Sequence, residues 1–252
     1  MRALVSVALA CATLWCGQGH SGVAGPQVLG RAFSPDGDSL LYTEYHWRFG
    51  IDHLVEYSDP DGALIAKNRL RYVRDSPSPA QDQYDMRSGV REGAIWRGDD
   101  LYLFRSDEER PVSASGTLVI SSGFDGFVRD HWEALASGRS VNLEFAVPAR
   151  LRTIELRARK LGSDACPDAT EHGWTCFRVE PVSRLLRWLS APIELAYDER
   201  RRLRVYSGLS NLRDAGGNSL QVLIRYEHPE QPVYPVPDLA LCEPGPLVPR
   251  FC

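Results

Sequence analysis

The sequence predicts a mainly β fold, a curved antiparallel sheet or incomplete barrel with two short helices packed on one face. Segments in which apolar and polar residues alternate recur along the chain, with turn residues between them. Two other segments have the period of an amphipathic helix instead. No internal repeat or linker divides the chain, so residues 25–228 are predicted to form one β domain. Residues 229–252 form a proline-rich C-terminal tail.

The N-terminus has the pattern of a targeting segment. Arg2 precedes an uncharged apolar run, and small residues at 22–24 offer a cleavage site, so residues 1–24 are predicted to be a signal peptide. The run is shorter than the roughly 20 residues needed to span a bilayer, and no second such run follows. We therefore expect an exported protein without a transmembrane span, most simply periplasmic. Lipid anchoring through Cys11 or Cys16 is the alternative.

The composition bounds the partners and the size of the core. The 252-residue chain has a formal net charge of −4 and lacks a clustered basic tract, which argues against nucleic-acid binding. Its length is sufficient for one sizeable hydrophobic core.

In the first half of the chain, alternation predicts a series of strands joined by hairpin turns. The predicted strands cover residues 39–48, 53–57, 63–73, 92–96 and 101–105, and residues 76–82 are predicted to be a loop. The turn at residues 59–62, Asp-Pro-Asp-Gly, combines a proline that presets the turn with a glycine that tolerates positive φ. Glu44 alternates with apolar neighbours and is expected to face solvent.

A helix is predicted in the middle of the chain. Phe124, Phe127, Val128, His131 and Leu135 form one stripe at helical spacing, and Gly138 provides a stop. We expect the His131 side chain to be satisfied by a backbone carbonyl where the helix meets the sheet. A helix this short needs a surface to pack on.

That surface is predicted to follow directly in the chain. Residues 141–147 and 152–161 alternate as a hairpin, and sharing one apolar face requires Leu143 to oppose Ile154. A second short helix is predicted over residues 181–190. Three strands follow, at residues 193–197, 203–206 and 220–227.

Cysteine spacing predicts two local disulfides in an exported chain. After removal of the signal peptide four cysteines remain, and we favour the pairs Cys166–Cys176 and Cys242–Cys252, each ten residues apart. A zinc site that includes His172 is the competing interpretation, but this spacing matches no CxxC-type pattern.

Three segments carry a resemblance to known proteins. Residues 124–151 (FDGFVRDHWEALASGRSVNLEFAVPARL), 179–198 (VEPVSRLLRWLSAPIELAYD) and 206–226 (YSGLSNLRDAGGNSLQVLIRY) resemble a family of exported bacterial proteins of unknown function. The family implies no activity, cofactor or catalytic residue. In layout the chain is also similar to the half-barrels of the lipoprotein carriers LolA and LolB, which bind acyl chains against a concave apolar surface. That similarity is an analogy of fold.

Catalytic and metal-binding motifs are missing from the sequence. It contains no GxSxG elbow, HExxH, P-loop or dinucleotide fingerprint, and His46 and His53 are predicted to lie on opposite arms of a hairpin. Glu44 and Glu144 could act as a carboxylate pair, although solvent-facing strand positions explain both. Asn211 and Asp214 are expected to cap their own turn. We therefore predict no catalytic residue, metal or cofactor.

The aromatic residues supply the remaining functional signal. A subset of them could line an apolar cradle, as ligand sites usually are lined. The residues selected for this role are Tyr42, Trp96, Phe104, Trp132, Phe145 and Trp188. The favoured hypothesis is a non-enzymatic periplasmic protein that binds an apolar or amphiphilic, lipid-like ligand. An envelope adaptor with a filled core that binds another protein is the alternative, and a hydrolase is a more distant one.

Overall fold

The computed structural model describes residues 27–162, 165–166, 172–183 and 191–229. Several sequence predictions lie outside these ranges. They are the signal peptide at residues 1–24, residues 184–190 of the second predicted helix with Trp188, the pair Cys242–Cys252, and the tail beyond residue 229.

The described chain is mainly β, with one open sheet of fifteen strands and two short helices, as the sequence predicts. The strands are β1 (Val28–Phe33), β2 (Leu40–Phe49), β3 (Asp52–Ser58), β4 (Leu64–Arg71), β5 (Ala80–Asp85), β6 (Val90–Arg97), β7 (Asp100–Arg105), β8 (Glu108–Val112), β9 (Leu118–Ile120), β10 (Val141–Val147), β11 (Arg152–Lys160), β12 (Thr175–Pro181), β13 (Ile193–Tyr197), β14 (Leu203–Arg213) and β15 (Ser219–Glu227). The helices are α1 (Gly123–Asp130) and α2 (Trp132–Ala136), and a 3-10 turn spans Pro148–Arg150.

The sheet is a meander whose two ends are brought together. Its strand order is β8-β7-β6-β5-β4-β3-β2-β1-β15-β14-β13-β12-β11-β10-β9. All neighbouring strands are antiparallel except β9 and β10, which are parallel. Because β8 and β9 are consecutive in the chain but lie at opposite edges, the sheet must curl until its edges are close.

The sheet overlaps itself instead of closing through hydrogen bonds. Ala146 faces away from Leu143 and Phe145 on β10, yet it is fully buried. It belongs to a core cluster with Ala94 of β6 and Leu103 of β7. The outer face of one end therefore packs on the inner face of the other, which gives an incomplete barrel.

Helices α1 and α2 cover part of the concave face, as the sequence predicts. Their apolar side chains pack on β10–β13 around Leu143 and Phe177. The predicted single helix is divided at His131, whose Nδ1 lies 2.9 Å from the carbonyl oxygen of Phe127. The expectation that a backbone carbonyl satisfies this histidine is confirmed.

Two glycines allow α1 to approach the chain segment at residues 76–78. A Cβ added to Gly123 would lie 2.1 Å from the carbonyl oxygen of Pro77, and one added to Gly126 would lie 2.1 Å from the Ser76 hydroxyl oxygen. The Ile120 amide also donates to the carbonyl of Pro77, at 2.9 Å. These contacts fix α1 between the sheet and this segment.

The predicted hairpin register is wrong by two residues. Leu143 opposes Leu156, and Ile154 opposes Phe145. The 3-10 turn at Pro148–Arg150 makes the connection longer than the tight turn expected, which shifts the pairing. A shift of two residues keeps every side chain on its predicted face.

Some strands were not predicted. The chain before residue 39 forms β1, and the predicted loop at residues 76–82 gives way to β5 at Ala80. Strands β8, β9 and β12 are also additional, and β14 continues to Arg213. In β5 neither face is apolar, so its sequence, AQDQYD, contains no alternation of hydrophobic and polar residues.

Two further findings concern the cysteines and the helices. Cys166 and Cys176 form a disulfide, with their Cα atoms 6.2 Å apart, so the predicted pairing of these cysteines is confirmed. Within the described ranges, the helices are all too short or too polar to cross a bilayer.

Candidate functional site

A cavity of about 960 Å³ occupies the concave side of the sheet. Side chains alternate across each strand, so every second residue of the lining strands points into it. Two of its surfaces differ in chemistry. The apolar wall consists of Phe145, Ile154, Leu156, Val179, Ile193 and Leu195, on strands β10–β13. The polar wall consists of Glu44, His46, His53, Asn68, Gln81 and Gln83, on strands β2–β5.

The apolar wall continues the face that the helices cover. Phe145 opposes Ile154, and Val179 opposes Ile193, so the aliphatic and aromatic side chains form cross-strand rows. Phe124 of α1 stacks on Phe145 with ring centroids 4.6 Å apart and also lines the cavity. This part of the cavity offers a ligand apolar contacts.

The polar wall contains a buried chain of hydrogen bonds. Glu44 Oε2 lies 2.9 Å from His46 Nε2, and His46 Nδ1 lies 3.0 Å from His53 Nε2. Glu44 is only 6% exposed, and His53 only 4%. The expectation that Glu44 faces solvent is therefore wrong. The hydrogen bonds that it accepts compensate for its burial.

His53 is held in its neutral form. Burial lowers its pKa well below the usual value, and the neighbouring His46 and Arg48 lower it further. Because the Glu44 carboxylate accepts, Nε2 of His46 is the donor in that contact, and with no proton on its Nδ1 His46 accepts there from Nε2 of His53. Nδ1 of His53 is then left as an acceptor, and it has no hydrogen-bond partner within the described chain.

A glycine makes room for a second donor to Glu44. Gly30 of β1 lies between Glu44 of β2 and Tyr226 of β15 in the sheet register. A Cβ at position 30 would lie 2.8 Å from the Tyr226 ring and 3.1 Å from Glu44 Oε2. The Tyr226 hydroxyl can therefore reach across β1 and donate to Glu44 at 3.1 Å. Burial raises the pKa of Tyr226 well above its usual value, and the Glu44 charge adds to this, so the phenol remains protonated.

Three carboxamides complete the polar wall. Asn68, Gln81 and Gln83 are at most 5% exposed, and the side-chain oxygen of each has no hydrogen-bond partner in the described ranges. Gln83 Nε2 donates to the carbonyl of Asn211 at 2.9 Å. Since most buried polar groups in proteins are hydrogen-bonded, a row of unsatisfied amide oxygens at a cavity wall is unusual.

Tyrosines also line the cavity, namely Tyr42 on β2, Tyr57 on β3 and Tyr206 on β14. The hydroxyl of Tyr42 lies 2.7 Å from that of Ser210, and the Tyr206 hydroxyl donates to the carbonyl of Leu209 at 2.6 Å. Burial raises the pKa of Tyr42, Tyr57 and Tyr206, and the charge of Glu44 contributes to each shift. These phenols are therefore neutral at physiological pH and present both an aromatic surface and a hydroxyl.

The aromatic residues that were predicted to bind a ligand lie partly inside and partly outside the cavity lining. Tyr42 and Phe145 line the cavity. The other three described residues lie outside its lining. Trp96 donates its indole N–H to the carbonyl of Ser78, Phe104 is buried on β7, and Trp132 packs edge-on against Phe177 and Tyr197. Trp188 is outside the described residues, and ligand contact by any of the six stays a prediction.

The other candidate residues, Glu144, Asn211 and Asp214, lie in different parts of the structure. Glu144 accepts hydrogen bonds from Ser115 on the outer side of β10 and does not line the cavity with Glu44, so the two do not form a pair there. The Asp214 carboxylate caps its own turn as predicted, accepting from the backbone N–H groups of Gly216 and Asn218. Asn211 lines the cavity instead.

Sequence reasoning missed most of the polar wall. His46, His53, Asn68, Gln81 and Gln83 were not selected as a site. A signal is nevertheless present on three strands, where cavity-lining residues repeat at spacing two, namely Glu44 and His46, His53 and Val55, and Gln81 and Gln83. It is hidden because polar residues normally mark the solvent face of a strand.

Comparison with known proteins gives a fold-level likeness alone. No protein-family model and no curated protein matches the chain. A solved structure similar to it is the β-barrel-like protein of domain of unknown function DUF1849 from Brucella abortus. The two share 11% sequence identity with a TM-score of 0.45, over 81% of this chain and 98% of that one. A likeness at this level says nothing about ligand or activity.

The site is suited to binding. Its size falls within the range of ligand pockets, roughly 300–1,000 Å³, and it combines a large apolar surface with a few fixed polar groups. Among the described residues, no group of three or more His, Cys, Asp or Glu side chains is arranged to hold a metal ion. Glu44 and His46 hydrogen-bond to side chains of the protein itself: Glu44 to His46 and Tyr226, and His46 to Glu44 and His53.

Proposed function

We propose that this protein is a non-enzymatic, exported binding protein that holds an apolar or amphiphilic ligand in its cavity. The observation that carries the proposal is a cavity of about 960 Å³ in which the apolar wall and the polar wall face the same space. An apolar chain gains free energy in proportion to the surface that it buries against residues such as Ile154 and Leu156.

Export is supported by two separate features. The N-terminal sequence has the pattern of a signal peptide. The Cys166–Cys176 disulfide is typical of oxidising compartments such as the periplasm. An adaptor was expected to have a core filled by its own side chains, so the cavity supports the binding protein over the adaptor.

Ligand binding can be tested with an apolar fluorescent probe. N-phenyl-1-naphthylamine, whose emission rises in apolar surroundings, is titrated into the full-length mature protein. Ile154→Trp places an indole in the cavity, and Glu155→Trp places the same group on the outer face of β11. We expect Ile154→Trp to weaken probe binding by about tenfold, equivalent to about 1.4 kcal/mol. Glu155→Trp should leave it unchanged.

Native mass spectrometry of protein purified from its own envelope provides an independent test. A lipid-like adduct that dissociates from the wild type and is depleted in Ile154→Trp is the expected result. The proposal is wrong if the wild type neither binds the probe nor carries an adduct. Equal probe affinity in all three proteins would place the probe outside the cavity and equally contradict it.

A further inference from the structure

We propose that Asn68, Gln81 and Gln83 form a subsite for an uncharged, hydroxyl-rich head group, so that the ligand is an amphiphile with a glycosyl or other polyol head. This inference rests on the proposed binding function and adds to it the chemical class of the ligand's polar end. Its basis is the hydrogen-bonding capacity that the polar wall leaves unused.

The three carboxamides form one compact patch. Asn68 of β4 and Gln83 of β5 are paired residues, so their side chains project side by side, roughly 5 Å apart at Cβ. Gln81 lies two residues before Gln83 on the same face of β5, roughly 7 Å away. A patch of this size is about as wide as one sugar ring, which carries several hydroxyls in such a space.

Hydroxyls match these side chains in chemistry as well as in spacing. The oxygens of Asn68, Gln81 and Gln83 have no partner in the described ranges. An unsatisfied buried acceptor costs about 1–3 kcal/mol, which a donor from a ligand can recover. A carboxamide presents one acceptor and one NH₂ donor group, whereas a hydroxyl both donates and accepts, so it satisfies the carboxamide in either orientation.

The charges around the patch disfavour an ionic head group. An anion would approach the carboxylates of Glu44 and Glu92. Glu92 is paired directly with Gln83 across β5 and β6, and Arg105, 3.5 Å away, offsets part of its charge. A cation would approach Arg48, whose charge helps to lower the pKa of His53 beside the patch. An uncharged polar group avoids both repulsions.

The position of the patch relative to the apolar wall determines the shape of the ligand. The polar wall lies on β2–β5 and the apolar wall on β10–β13, on either side of the central pair β1 and β15. The curl of the sheet turns these two surfaces toward one cavity. A ligand that uses both must be polar at one end and apolar at the other.

A head-group series with one common chain tests the inference on the unmodified protein. Decyl β-D-glucoside, decanoate and decyltrimethylammonium, each kept below its micelle concentration, compete with N-phenyl-1-naphthylamine for the mature protein. We expect the glucoside to bind about tenfold more tightly than either ionic amphiphile. Equal affinity for the three would overturn the inference while leaving the proposed function intact. Failure of all three and of the probe itself would overturn both.

A single substitution locates the preference on the polar wall. Gln81→Met keeps the length of the side chain but removes its amide, and Gln221→Met makes the same change on the outer face of β15. Gln81→Met should lower glucoside affinity several-fold without weakening the binding of the naphthylamine probe, and a urea transition like that of the wild type shows that it is folded. Gln221→Met should change neither affinity. A parallel loss of glucoside and probe binding, or no loss of glucoside binding, would contradict the assignment of Gln81 to the subsite.

Discussion

The two walls of the cavity bury their side chains by opposite means. On the apolar wall, residues such as Leu156 and Leu195 are buried because removing hydrocarbon from water is favourable. On the polar wall, Glu44 and His53 are also buried, with 6% and 4% of their surface exposed, although each loses hydration. The lost hydration of Glu44 is compensated by hydrogen bonds from Tyr226 on β15 and from His46 on its own strand.

This difference bears on stability and, under the proposed function, on ligand specificity. The apolar wall and its helices form the largest core cluster described, so it is expected to dominate the free energy of unfolding. The polar wall keeps several hydrogen-bonding atoms unsatisfied, which costs stability but leaves groups that can recognise a ligand. The unsatisfied polar groups and the largest apolar cluster thus occupy different halves of one sheet.

The largest expected effect is on the apolar side. Phe127 is completely buried between α1 and the sheet. Phe127→Ala should lower the free energy of unfolding by about 3–5 kcal/mol, because it removes apolar contacts and leaves a cavity. Urea denaturation followed by far-UV circular dichroism measures this loss. Phe127→Leu, which keeps most of the volume, should cost markedly less, and equal costs would show that packing is not the cause.

A smaller effect is expected from the glycine that opens the polar wall. Gly30→Ala places a Cβ against the Tyr226 ring, and we expect it to cost about 1–3 kcal/mol by displacing the donor of Glu44. Gly116→Ala is the matched control, since its added Cβ would meet nothing within 4 Å. Denaturant unfolding of both variants checks the difference.

Combining Gly30→Ala with Tyr226→Phe tests the mechanism. Both substitutions act on the hydrogen bond from Tyr226 to Glu44, so the cost of the double variant should be less than the sum of the single costs. Full additivity would show that Gly30→Ala acts through something other than this bond.

The smallest effect concerns pH. The pKa of folded His53 lies well below the usual 6.5, so below about pH 6.5 the unfolded chain binds more protons than the folded chain. Stability should therefore fall as the pH is lowered from 7 toward 5, by at most about 1.4 kcal/mol per pH unit for this group. The groups facing His53 are His46, Arg48 and, through His46, Glu44. Thermal unfolding of the wild type and His53→Gln across this range should show a shallower dependence in the variant.

Asp198, which directly follows β13 in the apolar half, affects stability in a different pH range from His53. Burial raises its pKa, but hydrogen bonds from Arg202 and Arg204 outweigh this and lower the pKa to about 2. Its stabilising contribution is present above the unfolded pKa of 3.8 and is lost only as the pH falls toward 2. Asp198→Asn should thus leave the profile between pH 7 and 5 unchanged. If Asp198→Asn makes stability less dependent on pH between 7 and 5, as His53→Gln is expected to do, the assignment of this dependence to His53 is wrong.

Sequence patterns were sufficient where burial follows residue type. The stripe through Phe127 and Leu135 predicted the central helix, and the alternation around Leu143 and Ile154 predicted the hairpin on which it packs. Turn residues and cysteine spacing supplied the hairpins and the Cys166–Cys176 bond. In each case the physical preference is local, either an apolar period or a backbone conformation, and can be seen in a short window.

Only the tertiary structure decided the polar wall, the strands β1 and β5, and the overlap of the two sheet ends. Glu44 faces inward because Tyr226, 182 residues away in the sequence, donates to it across Gly30. Gln81 and Gln83 lie at a cavity because neighbouring strands bury them, although their own strand has no apolar face. The burial of a polar side chain depends on partners distant in the chain, so alternation within one strand cannot predict it.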